Sequence, residues 1–78
     1  MKDLAEIKRL EALAEAAYAR IYDAPPLSST KDDYDDARMY LTQAIAEAKR
    51  LVLEDEAVRL STRLENIAGV YDSQFRKF

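Results

Sequence analysis

Cysteine, histidine and tryptophan are all missing from this 78-residue chain, and glycine occurs once, as Gly69. Without Cys there are no disulfides, no thiolate nucleophile and no Cys-ligated zinc. That absence fits a reducing compartment, and a cytoplasmic location is the expectation. The lack of His goes further, because the commonest general base and the commonest metal ligand disappear together. A single Gly cannot build a phosphate-cradling loop. No apolar run approaches the roughly 18 residues of a membrane span, and Met1-Lys2-Asp3 does not open like a signal peptide, so no membrane association is expected. A large excess of either charge is missing as well. The net charge is −3, with four positive and five negative residues in 1–30, four and seven in 31–55, and four and three in 56–78. No block is basic enough to mark a nucleic-acid footprint.

What remains is 49% apolar and periodic at helical spacing from end to end. A first helix over about 4–23 carries Leu4, Ile7, Leu10, Ala14, Ala17, Tyr18 and Ile21 on one face, with Asp3 and Glu6 close to a capping box. Pro25 and Pro26 stop it, because proline has no amide hydrogen to donate and restricts the residue before it. Residues 25–30 form a loop. Thr30 with Asp33, or Ser29 with Asp32, begins a second helix over about 31–53. Its stripe is Tyr34, Ala37, Leu41, Ala44, Ile45, Ala48, Leu51 and Val52.

A third stripe runs through Leu53, Ala57, Leu60, Leu64, Ile67, Ala68, Tyr71 and Phe75. At about 100° per residue it is rotated by roughly 145° from the second. Either the chain turns near Glu54-Asp55-Glu56, with Asp55 available as a cap for a helix over about 56–76, or one long helix changes its buried face. The first option gives a single domain, an all-α antiparallel three-helix bundle. The second gives a helical hairpin with one long C-terminal helix, dimerising through a back face that includes Met39, Ala46 and Leu53.

The chemistry these residues offer is thin. Asp32, Asp33, Asp35 and Asp36 suit the first turn of a helix, where they meet the positive end of its dipole, and the Gly that a calcium loop needs is absent. Glu6, Glu11, Glu15 and Glu47 lack the His partners of carboxylate-bridged metal bundles and read as solvated charges. Asp55–Arg59 and Asp72–Arg76 have the spacing of helix-surface ion pairs. Ser28, Ser29, Ser61 and Ser73 have no activating base or oxyanion loop beside them. No enzyme, no cofactor and no metal are therefore expected. Arg59 and Arg63 share a face and form a possible basic strip, with acidic residues interleaved. Met39, Tyr40, Val58 and Val70 point away from the stripes, and Phe78 ends the chain. Together these five are the candidate partner-binding residues.

The run Asp33–Ala48 resembles the second helix of a tetratricopeptide repeat, with Ala37, Leu41 and Ala44 at its small-large-small positions and Tyr34 at the helix start. The run Leu64–Tyr71 resembles the first helix of a following repeat through Ile67, Ala68 and Tyr71. The same pattern is similar to the microtubule-interacting-and-trafficking domain, a three-helix relative. The resemblance spans about half the chain and implies a scaffold that takes peptides or helices in grooves between its helices. The loop around Pro25 and the position of Phe75 depart from the repeat pattern. The expected function is a small non-enzymatic protein–protein interaction module, monomeric or homodimeric, acting as an adaptor, inhibitor or assembly factor. The alternatives are a nucleic-acid-associated accessory protein and a purely structural helical dimer.

Overall fold

The computed structural model describes residues 4–23 and 30–74, and nearly all of them are helical: α1 (Leu4–Asp23), α2 (Lys31–Arg50) and α3 (Glu54–Gln74). The chain is an all-α three-helix bundle. Arg20, near the end of α1, pairs with Asp33 at the start of α2. Tyr34, in the first turn of α2, stacks on Tyr71 near the end of α3. Both neighbouring pairs are therefore antiparallel, and α1 runs parallel to α3. The molecule measures 42 × 19 × 12 Å, and α2 packs on both other helices.

The three stripes build the core. Ile7, Leu10, Ala14, Ala17 and Ile21 of α1 are buried against Tyr34, Ala37, Leu41, Ala44 and Ala48 of α2, and α3 adds Ala57, Leu60, Ile67 and Tyr71. Alanine supplies six of these 14 buried positions. Small side chains at Ala14, Ala17, Ala37, Ala44 and Ala48 let helices approach closely, so that larger neighbours such as Ile7, Leu41, Leu60 and Ile67 can fill the space between them. No polar side chain is buried among the described residues, and no buried side-chain polar atom lacks a hydrogen bond. At its edge the core differs from the expected stripes: Leu4 is 42% exposed, and Tyr18, Ile45, Leu51, Leu53, Leu64 and Ala68 are only partly buried.

Thr30 occupies the N-cap position of α2 but makes no side-chain capping bond. Its hydroxyl instead lies 3.1 Å from the Tyr71 hydroxyl, so it ties α3 to the start of α2 rather than closing a capping box with Asp33. Asp3, Pro25, Pro26, Ser28, Ser29, Phe75, Arg76 and Phe78 lie outside the described residues.

The chain does turn between the second and third stripes, which removes the long-helix alternative. The turn is two to three residues earlier than its acidic neighbours suggest: α2 ends at Arg50 rather than 53, and α3 starts at Glu54 rather than 56. The Leu53 amide donates to the Ala48 carbonyl at 2.8 Å and the Val52 amide to the Lys49 carbonyl at 3.0 Å. This crossed pair of bonds is a Schellman motif, with Leu51 as C-cap and Val52 at the position that glycine usually takes. Val52 has φ 59°, in the left-handed region. The Ala57 amide then donates to the Leu53 carbonyl, so Leu53 opens α3, while Glu54, Asp55 and Glu56 fill its first turn. Asp55 is thus inside the helix and is not its cap.

Candidate interaction site

Three places on the bundle concentrate side chains that the core does not consume. The first is the seam between α1 and α3. Glu11 and Glu15 lie one helical turn apart on α1, and Arg59 and Arg63 repeat that spacing on α3. Arg59 donates from Nη1 and Nη2 to the two Glu11 oxygens at 2.7 and 2.9 Å, and also to Glu56. Arg63 donates from Nε and Nη2 to the two Glu15 oxygens, both at 2.7 Å. The Arg63 guanidinium also sits 5.2 Å from the ring centre of Tyr18. Tyr18 meets Tyr22 edge-on, with hydroxyls 3.0 Å apart.

This ladder changes the chemistry of its members. The hydrogen bond from Arg59 holds both the Glu11 and the Glu56 carboxyl below the usual range, against the opposing effect of partial burial. Burial, followed by the hydrogen bond with Tyr22, pushes the Tyr18 hydroxyl up to about 12. Arg59 and Arg63 do share a face, but they spend their donors on carboxylates of the neighbouring helix. They are not an open basic strip, and Glu11 and Glu15 are not simply solvated. The expected Asp55–Arg59 pair is replaced by Glu56 and Glu11.

The second place is the end of the bundle. The rings of Tyr34 and Tyr71 lie 3.9 Å apart and nearly parallel, and the Arg38 guanidinium stands 5.5 Å from the Tyr34 ring centre. With Lys31 and Asp35, themselves an ion pair at 2.8 Å, these residues border a depression of about 340 Å³.

The third place is the α2–α3 corner. Val52 is 75% exposed and Val58, one turn into α3, is 66% exposed. With Lys49, Glu54 and Ala57 they line an open notch of about 390 Å³. Lys49, Glu54 and Asp55 have no ion-pair partner among the described residues.

The five candidate partner residues do not gather in one patch. Val58 is at the corner. Met39 is 44% exposed on the back of α2, whereas Tyr40 is partly buried against the core. Val70 is partly buried on α3, where the offset of 48 residues between paired positions sets it level with Tyr22. Phe78 lies outside the described residues. The spacing of Val52 belongs to the α2 stripe, and its place on the surface has no local sequence signal, because the left-handed turn carries no glycine. No group of three ligating side chains that could hold a metal ion forms among the described residues, and no helix there is long and apolar enough to cross a membrane. Searches of family models, curated proteins and solved structures found no match to this chain.

Proposed function

We propose that this chain is a small non-enzymatic protein–protein interaction module that docks a partner at the α2–α3 corner. The observation that carries the reading is the backbone of Val52. A left-handed residue costs an L-amino acid about 1–2 kcal/mol, and a β-branched one is a marked outlier there. Glycine would make the same turn without that cost. The valine side chain gains little from the fold in return, since three quarters of its surface faces solvent. Backbone strain of this kind is characteristic of sites kept for something other than stability. Val58 extends the same apolar surface.

The resemblance to helical scaffold families supports the same class of function, and the absence of cysteine supports a cytoplasmic setting. The nucleic-acid reading has lost its main support, because Arg59 and Arg63 are neutralised by Glu11 and Glu15.

The test is affinity capture by the full chain against Val52→Gly, Val58→Ser and Met39→Ser, each checked for helicity by circular dichroism. The reading expects one defined polypeptide to be retained by the wild type and by Met39→Ser, and lost with Val52→Gly and Val58→Ser. Retention by both corner variants with loss in Met39→Ser would transfer the docking face to the back of α2.

A further inference from the structure

We infer that the depression at the open end of the α2–α3 pair binds a small aromatic carboxylate, with Arg38 as its anchor. This goes beyond the docking reading and does not rest on it, because the corner lies at the other end of both helices.

Six arginines lie among the described residues, and five of them hold a carboxylate: Arg9, Arg20, Arg50, Arg59 and Arg63. Arg38 is the exception. Asp35 stands three residues before it, the spacing at which Glu6, Glu47 and Glu56 pair with Arg9, Arg50 and Arg59. Here Asp35 is taken by Lys31 instead, at 2.8 Å. The exposed Arg38 guanidinium is left 5.5 Å from the centre of the Tyr34 ring, with no ion pair or hydrogen bond to another described residue. That ring is itself fixed, because Tyr71 stacks on it at 3.9 Å and both tyrosines are buried. The guanidinium therefore stands on a settled base with its donors unspent. The planar fork of an arginine matches a carboxylate through two parallel hydrogen bonds.

Charge and size choose the occupant. Of the residues that border the depression, Lys31 and Asp35 neutralise each other and Arg38 leaves one positive charge. Asp32 is also within electrostatic reach of Lys31, but it does not border the depression. A cationic ligand would meet Arg38 with no uncommitted carboxylate to receive it. A phosphate dianion would face Asp35 with one uncommitted cation to hold two charges. A neutral apolar ligand would cover the guanidinium without pairing it, which is costly. A singly charged carboxylate matches the one unspent guanidinium, and the rings of Tyr34 and Tyr71 offer surface to a planar apolar body. The volume, about 340 Å³, is at the small end of ligand sites and suits one ring with its acid group.

The experiment titrates the isotope-labelled full chain at neutral pH with benzoate, and separately with benzamide, acetate and phenyl phosphate. The expected result is a saturable set of amide shifts at Lys31–Arg38 and around Tyr71, strongest with benzoate and weakening as salt is raised. Arg38→Gln should lower the benzoate affinity about tenfold, by removing the charged fork. Asp35→Asn should raise it about threefold, by removing the one negative charge at the border and releasing Lys31. Both are surface changes, and circular dichroism checks that each variant keeps its helices. Equal binding of benzamide, or an unchanged affinity in Arg38→Gln, would overturn the arginine anchor. Equal binding of acetate would overturn the aromatic ligand, and tighter binding of phenyl phosphate would replace the carboxylate by a phosphate. Weaker binding in Asp35→Asn would overturn the charge balance on which the choice of ligand rests. Shifts elsewhere on the bundle, or none with any of the four compounds, would remove the site altogether.

Discussion

The ring of Tyr34 lies flat on that of Tyr71, with 3.9 Å between centroids and 3° between planes, and both residues are buried. One residue enters α2 and the other leaves α3, so the stack fastens the open end of that helix pair, opposite the turn. Tyr71→Ala removes a buried ring and leaves a cavity, a change that costs about 3–5 kcal/mol for aromatic residues in cores. In a domain this small, that is expected to abolish cooperative unfolding. Tyr71→Phe keeps the stack and loses only the bond to Thr30, and a loss of about 0.5–1.5 kcal/mol is expected. Urea denaturation followed by circular dichroism separates the two.

Val52→Gly should make the protein more stable. Removing the left-handed penalty gains about 1–2 kcal/mol, and glycine's larger unfolded-state entropy takes back about 0.5–1 kcal/mol. A net gain near 1 kcal/mol corresponds to a rise in Tm of about 4–8 °C. Scanning calorimetry showing no gain, or a loss, would mean that the Val52 side chain contributes to the fold and would withdraw the main support for a docking role.

The Glu15–Arg63 pair links helices that otherwise meet little. A double-mutant cycle with Glu15→Gln and Arg63→Gln should return a coupling of about 0.5–1 kcal/mol at low salt, at the upper end for exposed pairs because the geometry is bidentate. The coupling should shrink as ionic strength rises. A coupling that is absent at low salt would show that the ladder decorates the seam without holding it.

Tyr18 offers a test in alkali. Its folded hydroxyl titrates at about 12, above the ordinary 10 of the unfolded chain. The neutral form is therefore the one favoured by folding. Its contribution is fully present below pH 10 and is lost as pH rises through 12. Absorbance titration should show Tyr18 ionising late, and Tyr22→Phe should bring it earlier by removing the hydroxyl pair.

Acid acts on the same seam with the opposite sign. Arg59 lowers the Glu11 carboxyl below its ordinary 4.5. The stability it supplies is present above that value and is lost as pH falls through the depressed one. Arg59→Gln should flatten the pH dependence of the urea midpoint in this acid range, whereas an unchanged slope would mean that Glu11 is not held by Arg59 in solution.

Much of the bundle was legible because its helices bury alanine and aliphatic residues at strict 3-4 spacing. Ile7, Leu10 and Ala14, or Ala37, Leu41 and Ala44, leave no other face to bury. The junction was harder, for a physical reason. A Schellman turn is made by two backbone hydrogen bonds, and here the usual glycine is a valine that continues the α2 stripe in register. The stripe's rotation signalled a break, but nothing local fixed its residue, and the acidic run drew the turn toward Asp55. The Glu–Arg ladder was illegible for a different reason. Spacing puts Arg59 and Arg63 on one side of α3, yet whether that side meets α1 or solvent depends on how α3 is rotated against α2. That is a property of three helices together.

The central place of α2 also sets an order of loosening. α3 packs chiefly on α2, and the ion pairs Arg59–Glu11 and Arg63–Glu15 tie it to α1. Detaching α3 would leave the α1–α2 hairpin with most of its alanine-lined interface intact. Amide hydrogen exchange should therefore find two tiers of protection, with α3 opening before the hairpin. A protein built this way can lend out one helix while the other two stay folded.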